Sequence, residues 1–287
     1  MGTEVNLLNQ LRLDDLKIDS LVDLLKATYT LEDWDKMIEI ADKLHLAALE
    51  LEGERSTKSK ACERHPIYYF GYSKLMKGLA LQNKGQYSES KALVEEYSDL
   101  SWLDDGSKEA IEEVEFFKMF AKANMYATNL LEGNLEHLEP YVQFLRESRI
   151  DELMPGLLNI IEAAIEHSFD VEEILESFEN DINKAIEYYK QRRALYLMRV
   201  FFKLSLYHFV RQQYSAAIDK TLQGLELSNI LKDTFAFKKF SALFELFRKH
   251  ANEVQQKRYT LFMSNTLKEE LSNEKSIFFD GDRIGVN

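Results

Sequence analysis

A chain of 287 residues with 45% hydrophobic and 12% aromatic content can bury a sizeable core, which excludes disorder as a description of the whole. Only 3 prolines and 11 glycines stand against 30% charged residues, so turn formers are scarce, long helices are favoured and the expected fold class is all-α. A formal charge of −13 repels a phosphate backbone and argues against direct nucleic-acid binding, while the single cysteine, Cys62, allows no internal disulfide.

Residues 1–17 are polar with scattered leucines and read as an N-terminal arm without the basic-then-apolar pattern of a signal peptide, so a cytoplasmic location is the expectation. From Ile18 the series Leu21, Val22, Leu25 and Tyr29 gives one helical face, and after a turn at Thr30–Asp33 a second begins at Trp34. Residues 53–65 lose this periodicity and form a loop before Pro66 opens a helix. The stretch from Tyr72 to Tyr97 is the clearest helical hairpin. Gly78 removes a side chain from its first helix, Gly85 ends that helix with a residue that tolerates positive φ, and Tyr87 and Ser90 open the second.

An Asp-Asp-Gly turn after Trp102 leads to a long helix from Glu109 to Leu131, ended by Gly133-Asn134, with Leu135 to Leu145 returning. Residues 151–167 form a further helix that admits Pro155 in its first turn, and Val171, Ile174, Leu175 and Phe178 return. Asn180–Asn183 reads as a break before a long helix from Ala185 to Arg211. Next comes Gln212-Gln213-Tyr214, where Tyr214 and Ala217 match Tyr87 and Ser90, and Ser205 matches Gly78. A last pair, Asp233–Phe247 and Glu253–Leu271, precedes a Gly-containing tail over 272–287. The apolar run from Leu195 to Val210 is broken by Arg199, Lys203 and His208, so no membrane span is expected.

The order of Gly, Gly, Tyr and Ser in the central hairpin resembles the tetratricopeptide repeat. Trp34, Tyr87, Leu135, Phe169 and Tyr214 are spaced by 53, 48, 34 and 45 positions, against a period of about 34 in regular arrays, so the copies are degenerate. Stacked hairpins of this kind imply a right-handed superhelix over 18–271 with a concave face lined by the first helix of each pair.

With stretches such as FFKMFAKANMYATNLLEGN and YYKQRRALYLMRVFFKLSLYHFVRQQYSAAI, this pattern resembles the sensor half of the Gram-positive peptide-pheromone receptors, the Rap, NprR, PlcR and PrgX group. The resemblance implies a short extended peptide held in the groove, its backbone bonded by asparagines. Many such receptors carry an N-terminal helix-turn-helix, for which residues 1–17 are too short, so the resemblance implies either its absence or action through another protein. The glutamine on which the phosphatase activity of some Rap members depends has no assignable counterpart.

Laying the repeat register on the sequence places Tyr72, Leu75, Leu79, Gln82 and Asn83, and later Arg199, Phe202, Leu206 and Phe209, on the inward face. Asn124 and Asn159 join them because an amide offers both donor and acceptor, although Asn124 serves equally as a bridge between helices. Arg192, Arg193 and Arg199 could hold a peptide carboxylate or pair with acidic neighbours. Phe116, Phe117 and Phe120 read as core, and the glutamate clusters 112–115 and 172–176 as solvated faces. The six histidines show no metal-ligand spacing and no catalytic constellation is present, so no metal, no cofactor and no enzyme activity are expected. A receptor for a short peptide and a constitutive interaction scaffold remain as alternatives, and either could form a homodimer through the C-terminal pair, with Phe240, Leu243, Phe244, Phe247, Tyr259 and Leu261 as the expected face.

Overall fold

The computed structural model describes Leu13 and residues 16–53, 62–190 and 194–273. The residues beyond 273, with Phe278, Phe279 and the Gly281–Gly285 segment, lie outside the described residues, as do Arg192, Arg193 and most of the N-terminal arm. The protein is all-α: thirteen α-helices and three short 3-10 turns occur among the described residues, and no strand. The chain divides into two compact units, Met1–Glu147 and Ser148–Asn287, described in turn.

The first unit holds α1 (Ile18–Leu31), α2 (Trp34–Gly53), α3 (Pro66–Asn83), α4 (Tyr87–Ser98), α5 (Lys108–Leu131) and α6 (Leu138–Glu147). Helix α3 is its central element, because it is buried on two faces. Tyr69, Met76 and Ala80 join Leu21, Leu25, Met37 and Leu44 of α1 and α2, whereas Ile67 and Leu75 join Tyr97, Phe117 and Ala121 of α4 and α5. Pro66 stands at the start of α3, where its missing N–H has no partner to lose, and His65 accepts from the Ile67 amide. Gly71 is required by this double burial: a Cβ there would lie 2.6 Å from the Phe117 ring. At Gly78, by contrast, the nearest atoms to such a Cβ are 3.8 Å away, an ordinary contact. The feature at that crossing is a buried hydrogen bond from Ser90 Oγ to the Gly78 carbonyl at 2.9 Å.

The second unit holds α7 (Ile150–His167), α8 (Glu172–Ser177), α9 (Glu179–Lys190), α10 (Ala194–Val210), α11 (Tyr214–Ile230), α12 (Thr234–Phe247) and α13 (Glu253–Asn273). One sequence expectation changes in this unit. Asn180–Asn183 is not a break but lies inside α9, and the turn falls at Phe178, whose buried ring holds it in place. Of the helix expected over 185–211, residues up to Lys190 belong to α9 and those from Ala194 to α10, and 191–193 lie outside the described residues.

Helix α7 packs against α10, α10 against α11 and α11 against α12. At Gly224 of α11 a Cβ would clash with the Cζ edge of the Phe240 ring of α12. Helix α13 is capped reciprocally by Asn252 and Gln255, whose side chains accept each other's backbone N–H. The Gln255 amide also reaches Ser215 O at 3.0 Å and Asp219 Oδ1 at 2.9 Å, tying α13 to α11. Most of the apolar face expected to offer a dimer contact is internal, for Phe240, Leu243, Phe244, Phe247 and Tyr259 are buried in this unit and Leu261 alone of that set is exposed.

Five connections share one backbone geometry. Glu32, Gly85, Gly133, Gln212 and Lys232 have positive φ, and the residue after each donates its N–H to the carbonyl five positions back: Asp33 to Thr28, Gln86 to Leu81, Asn134 to Asn129, Gln213 to His208 and Asp233 to Ser228, at 2.9–3.0 Å. The positive-φ residue itself donates to the carbonyl three positions back in every case. These are Schellman turns, which satisfy the carbonyls left unpaired at a helix end. Trp34, Tyr87, Leu135, Tyr214 and Thr234 each follow the positive-φ residue by two. Phe169 follows its positive-φ residue, Ser168, by one, so it stands off the register expected for it.

Candidate functional site

A cleft of about 1290 Å³ lies within the second unit. Met154 of α7 and Leu197, Val200, Phe201 and Leu204 of α10 supply a buried apolar lining. From α8 and α9 come Leu175 and Ile182 with three carboxylates, Glu172, Glu176 and Glu179. Tyr214, Lys220 and Gln223 of α11 complete it, together with His208 and Gln213 at the α10–α11 turn.

Polar side chains fasten the 168–172 loop to that turn. Tyr207 Oη accepts the Val171 N–H at 3.1 Å and donates to Asp170 Oδ1 at 3.2 Å. Burial raises the Tyr207 phenol above its ordinary range, so it stays a protonated donor. Arg211 pairs with Asp170, and its Nε lies 3.9 Å from Glu172 Oε1. The Glu172 N–H, ahead of the Tyr207 hydroxyl and the Arg211 charge, holds the Asp170 carboxyl below the usual carboxylate range. Gln213 Nε2 donates to Glu172, and Gln213 Oε1 shares a 2.7 Å hydrogen bond with His208 Nδ1. His208, Gln213 and Glu172 thus form a relay along one side of the cleft.

The residues selected from the sequence fall in both units. In the first, Leu75 is 6% exposed and part of the core, and Gln82, 8% exposed, accepts from Thr128 Oγ1 at 2.9 Å. Asn83 is exposed but donates to its own helix at Leu79 O, and Tyr72 stacks on Tyr68 with ring centroids 5.3 Å apart. Asn124 takes the bridging role, since its amide donates to the Tyr97 hydroxyl at 2.9 Å and ties α5 to α4. Of the three phenylalanines read as core, Phe117 is buried while Phe116 is exposed.

In the second unit Asn159 and Arg199 are half-buried on α7 and α10. Phe202 meets the Phe240 ring edge-on at 6.0 Å, and Phe209 stacks on Phe247 at 3.9 Å. None of these four lines the cleft, although Val200, Phe201 and Leu204 on the same helix as Arg199 and Phe202 do. The register picks out this helix, on a face other than the one that lines the cleft.

What sequence reasoning missed is the contribution of α8 and α9. Glu172 and Glu176 look like a solvated acidic face until Leu175 and Ile182 are seen to stand beside them in one concavity. Among the described residues no group of three or more His, Cys, Asp or Glu is placed to hold a metal ion, and no helix is long and apolar enough to cross a membrane.

Comparison with protein-family models, with curated proteins and with solved structures finds no match to this chain. What the fold and the cleft define by themselves is an all-α protein of short-turned helices carrying a concavity with apolar depth and polar edges.

Proposed function

We propose that the chain is a peptide-binding regulatory module, a cytoplasmic receptor for a short signalling peptide that acts on transcription or on a partner protein, and that its hairpins are degenerate tetratricopeptide-like repeats with the right-handed coil such repeats produce. The observation that carries this reading is the cleft of the second unit. At about 1290 Å³ it exceeds the roughly 300–1,000 Å³ of typical small-molecule pockets, and the amides of Asn183 and Gln223 stand in its lining as donors and acceptors for a main chain. The five repeated Schellman turns support the repeat reading.

Isothermal titration of the full chain with short peptides encoded beside its gene tests it. Binding at micromolar affinity or tighter, lost when Val200→Trp fills the cleft, supports the receptor. A second reading, a constitutive scaffold without a small ligand, is favoured by the exposure of Ile230 (74%), Leu246 (65%) and Val254 (75%) on the same unit. Recovery of one defined protein partner by a chain that binds no peptide would establish the scaffold instead.

A further inference from the structure

Three carboxylates, Glu172, Glu176 and Glu179, line the cleft, against a single lysine, Lys220. The three are not equivalent. Glu172 accepts from Gln213 and lies near Arg211, so its charge is already engaged. Glu176 and Glu179 are exposed, and among the described residues neither carboxylate has an ion-pair or hydrogen-bond partner. Phe178, buried between them, fixes the turn that carries both. The apolar lining from Met154, Leu197, Val200 and Phe201 belongs to the same concavity.

We propose that the occupant of this cleft is a peptide segment combining apolar side chains with a basic residue, the apolar groups entering against α7 and α10 and the cation docking on Glu176 and Glu179. The inference rests on the receptor reading above and adds the chemical class of the ligand. Charge complementarity selects it. An acidic segment, or a peptide carboxylate directed at α8 and α9, meets like charge, whereas a neutral one leaves two carboxylates partly dehydrated without compensation. A polyamine would satisfy the charges and leave the apolar lining uncovered. The two glutamates are therefore specificity-determining residues, and the apolar lining supplies the burial common to any occupant.

The test uses the full chain and three hexapeptide pools of apolar residues with one position fixed as arginine, glutamine or glutamate, captured on immobilised protein and read by mass spectrometry. The arginine pool is expected to exceed the glutamine pool by about tenfold, as one retained charge-assisted hydrogen bond gives. Glu176→Gln with Glu179→Gln should remove that preference, lowering capture of the arginine pool while capture of the glutamine pool holds or rises as the dehydration cost is relieved. Salt raised to about 1 M, where the screening length is roughly 3 Å, should erase the same difference.

Equal capture of the arginine and glutamine pools, or an arginine preference that survives the double variant, overturns the inference and leaves the receptor reading standing. Displacement of captured peptide by spermidine alone at equal concentration also overturns it, because the apolar lining would then contribute nothing. Capture of no pool, or capture that persists in Val200→Trp, overturns the receptor reading as well. Glu176 and Glu179 are surface side chains outside the core, so circular dichroism of the double variant should match the parent and its binding result can be read directly.

Discussion

Three glycines inside helices provide a graded test of how closely the helices approach. At Gly224 an added Cβ would stand 2.8 Å from Phe240 Cε2 and nearer still to Cζ and Cε1, so alanine there must displace a ring that is 1% exposed. Overpacking of this kind costs about 1–3 kcal/mol, and replacing a mid-helix glycine by alanine returns about 0.5–1 kcal/mol. Gly224→Ala should therefore destabilise the second unit by about 1–2 kcal/mol, which for a unit of this size lowers Tm by roughly 2–8 °C. Gly71→Ala, facing the Phe117 ring at 2.6 Å, should do the same in the first unit. Gly78→Ala, with 3.8 Å of clearance, should raise stability by about 0.5–1 kcal/mol. Thermal and urea unfolding followed by circular dichroism measures all three, and a Phe240→Leu background supplies the double-mutant cycle, in which the Gly224→Ala penalty should largely disappear. If Gly224→Ala proves as stabilising as Gly78→Ala, or its penalty persists without the Phe240 ring, contact with that ring is not what makes the glycine necessary.

Lys232 adopts φ 55° at a Schellman turn, a conformation that strains a side chain, so Lys232→Gly should stabilise by about 0.5 kcal/mol once the greater freedom of the unfolded glycine is set against the relief, as denaturant midpoints would register. Tyr207→Phe removes the acceptor of the Val171 N–H, at a residue only 1% exposed, and should cost about 1–3 kcal/mol in the same assay, whereas Tyr214→Phe should cost little. His45, edge-on to Phe70, has its imidazole pKa lowered first by burial and then by Lys74, with Lys77 acting the same way and Glu96 and Asp42 opposing. Below the ordinary histidine pKa the unfolded chain therefore binds more protons there than the folded one, so stability should fall as pH drops through that region, and His45→Gln should flatten this part of the pH profile.

The parts of the fold legible in the sequence were those written in residues with one conformational meaning. Gly85 and Gly133 announced two turns because glycine tolerates positive φ. Glu32, Gln212 and Lys232 make the same turn with side chains that carry no such signal, and Thr234 follows the last of them without an aromatic to mark it. Gly71 and Gly224 passed unnoticed because a glycine in mid-helix acquires its purpose from a ring on another helix, 46 and 16 positions further along. The candidate site was harder to see, since its lining joins α7, α8, α9, α10 and α11 over 69 positions from Met154 to Gln223. The repeat register singles out Arg199 and Phe202, while the residues that reach the cleft are their immediate neighbours Val200 and Phe201. Along a helix a step of one residue turns a side chain by about 100°, enough to exchange a concavity for the opposite contact.

Helix α8 has no buried residue of its own and packs chiefly against α9, while Val171 and Phe178 at its two ends are both buried. Such a segment can unhinge between two fixed points without disturbing the helices behind it. Its amides should exchange with deuterium through local opening, faster than those of α10 and α11, whose protection reports opening of the whole unit. An occupant resting on Glu176 would slow exchange in α8 first, so the rate of proton loss from six consecutive amides becomes a readout of occupancy that requires no label on the ligand.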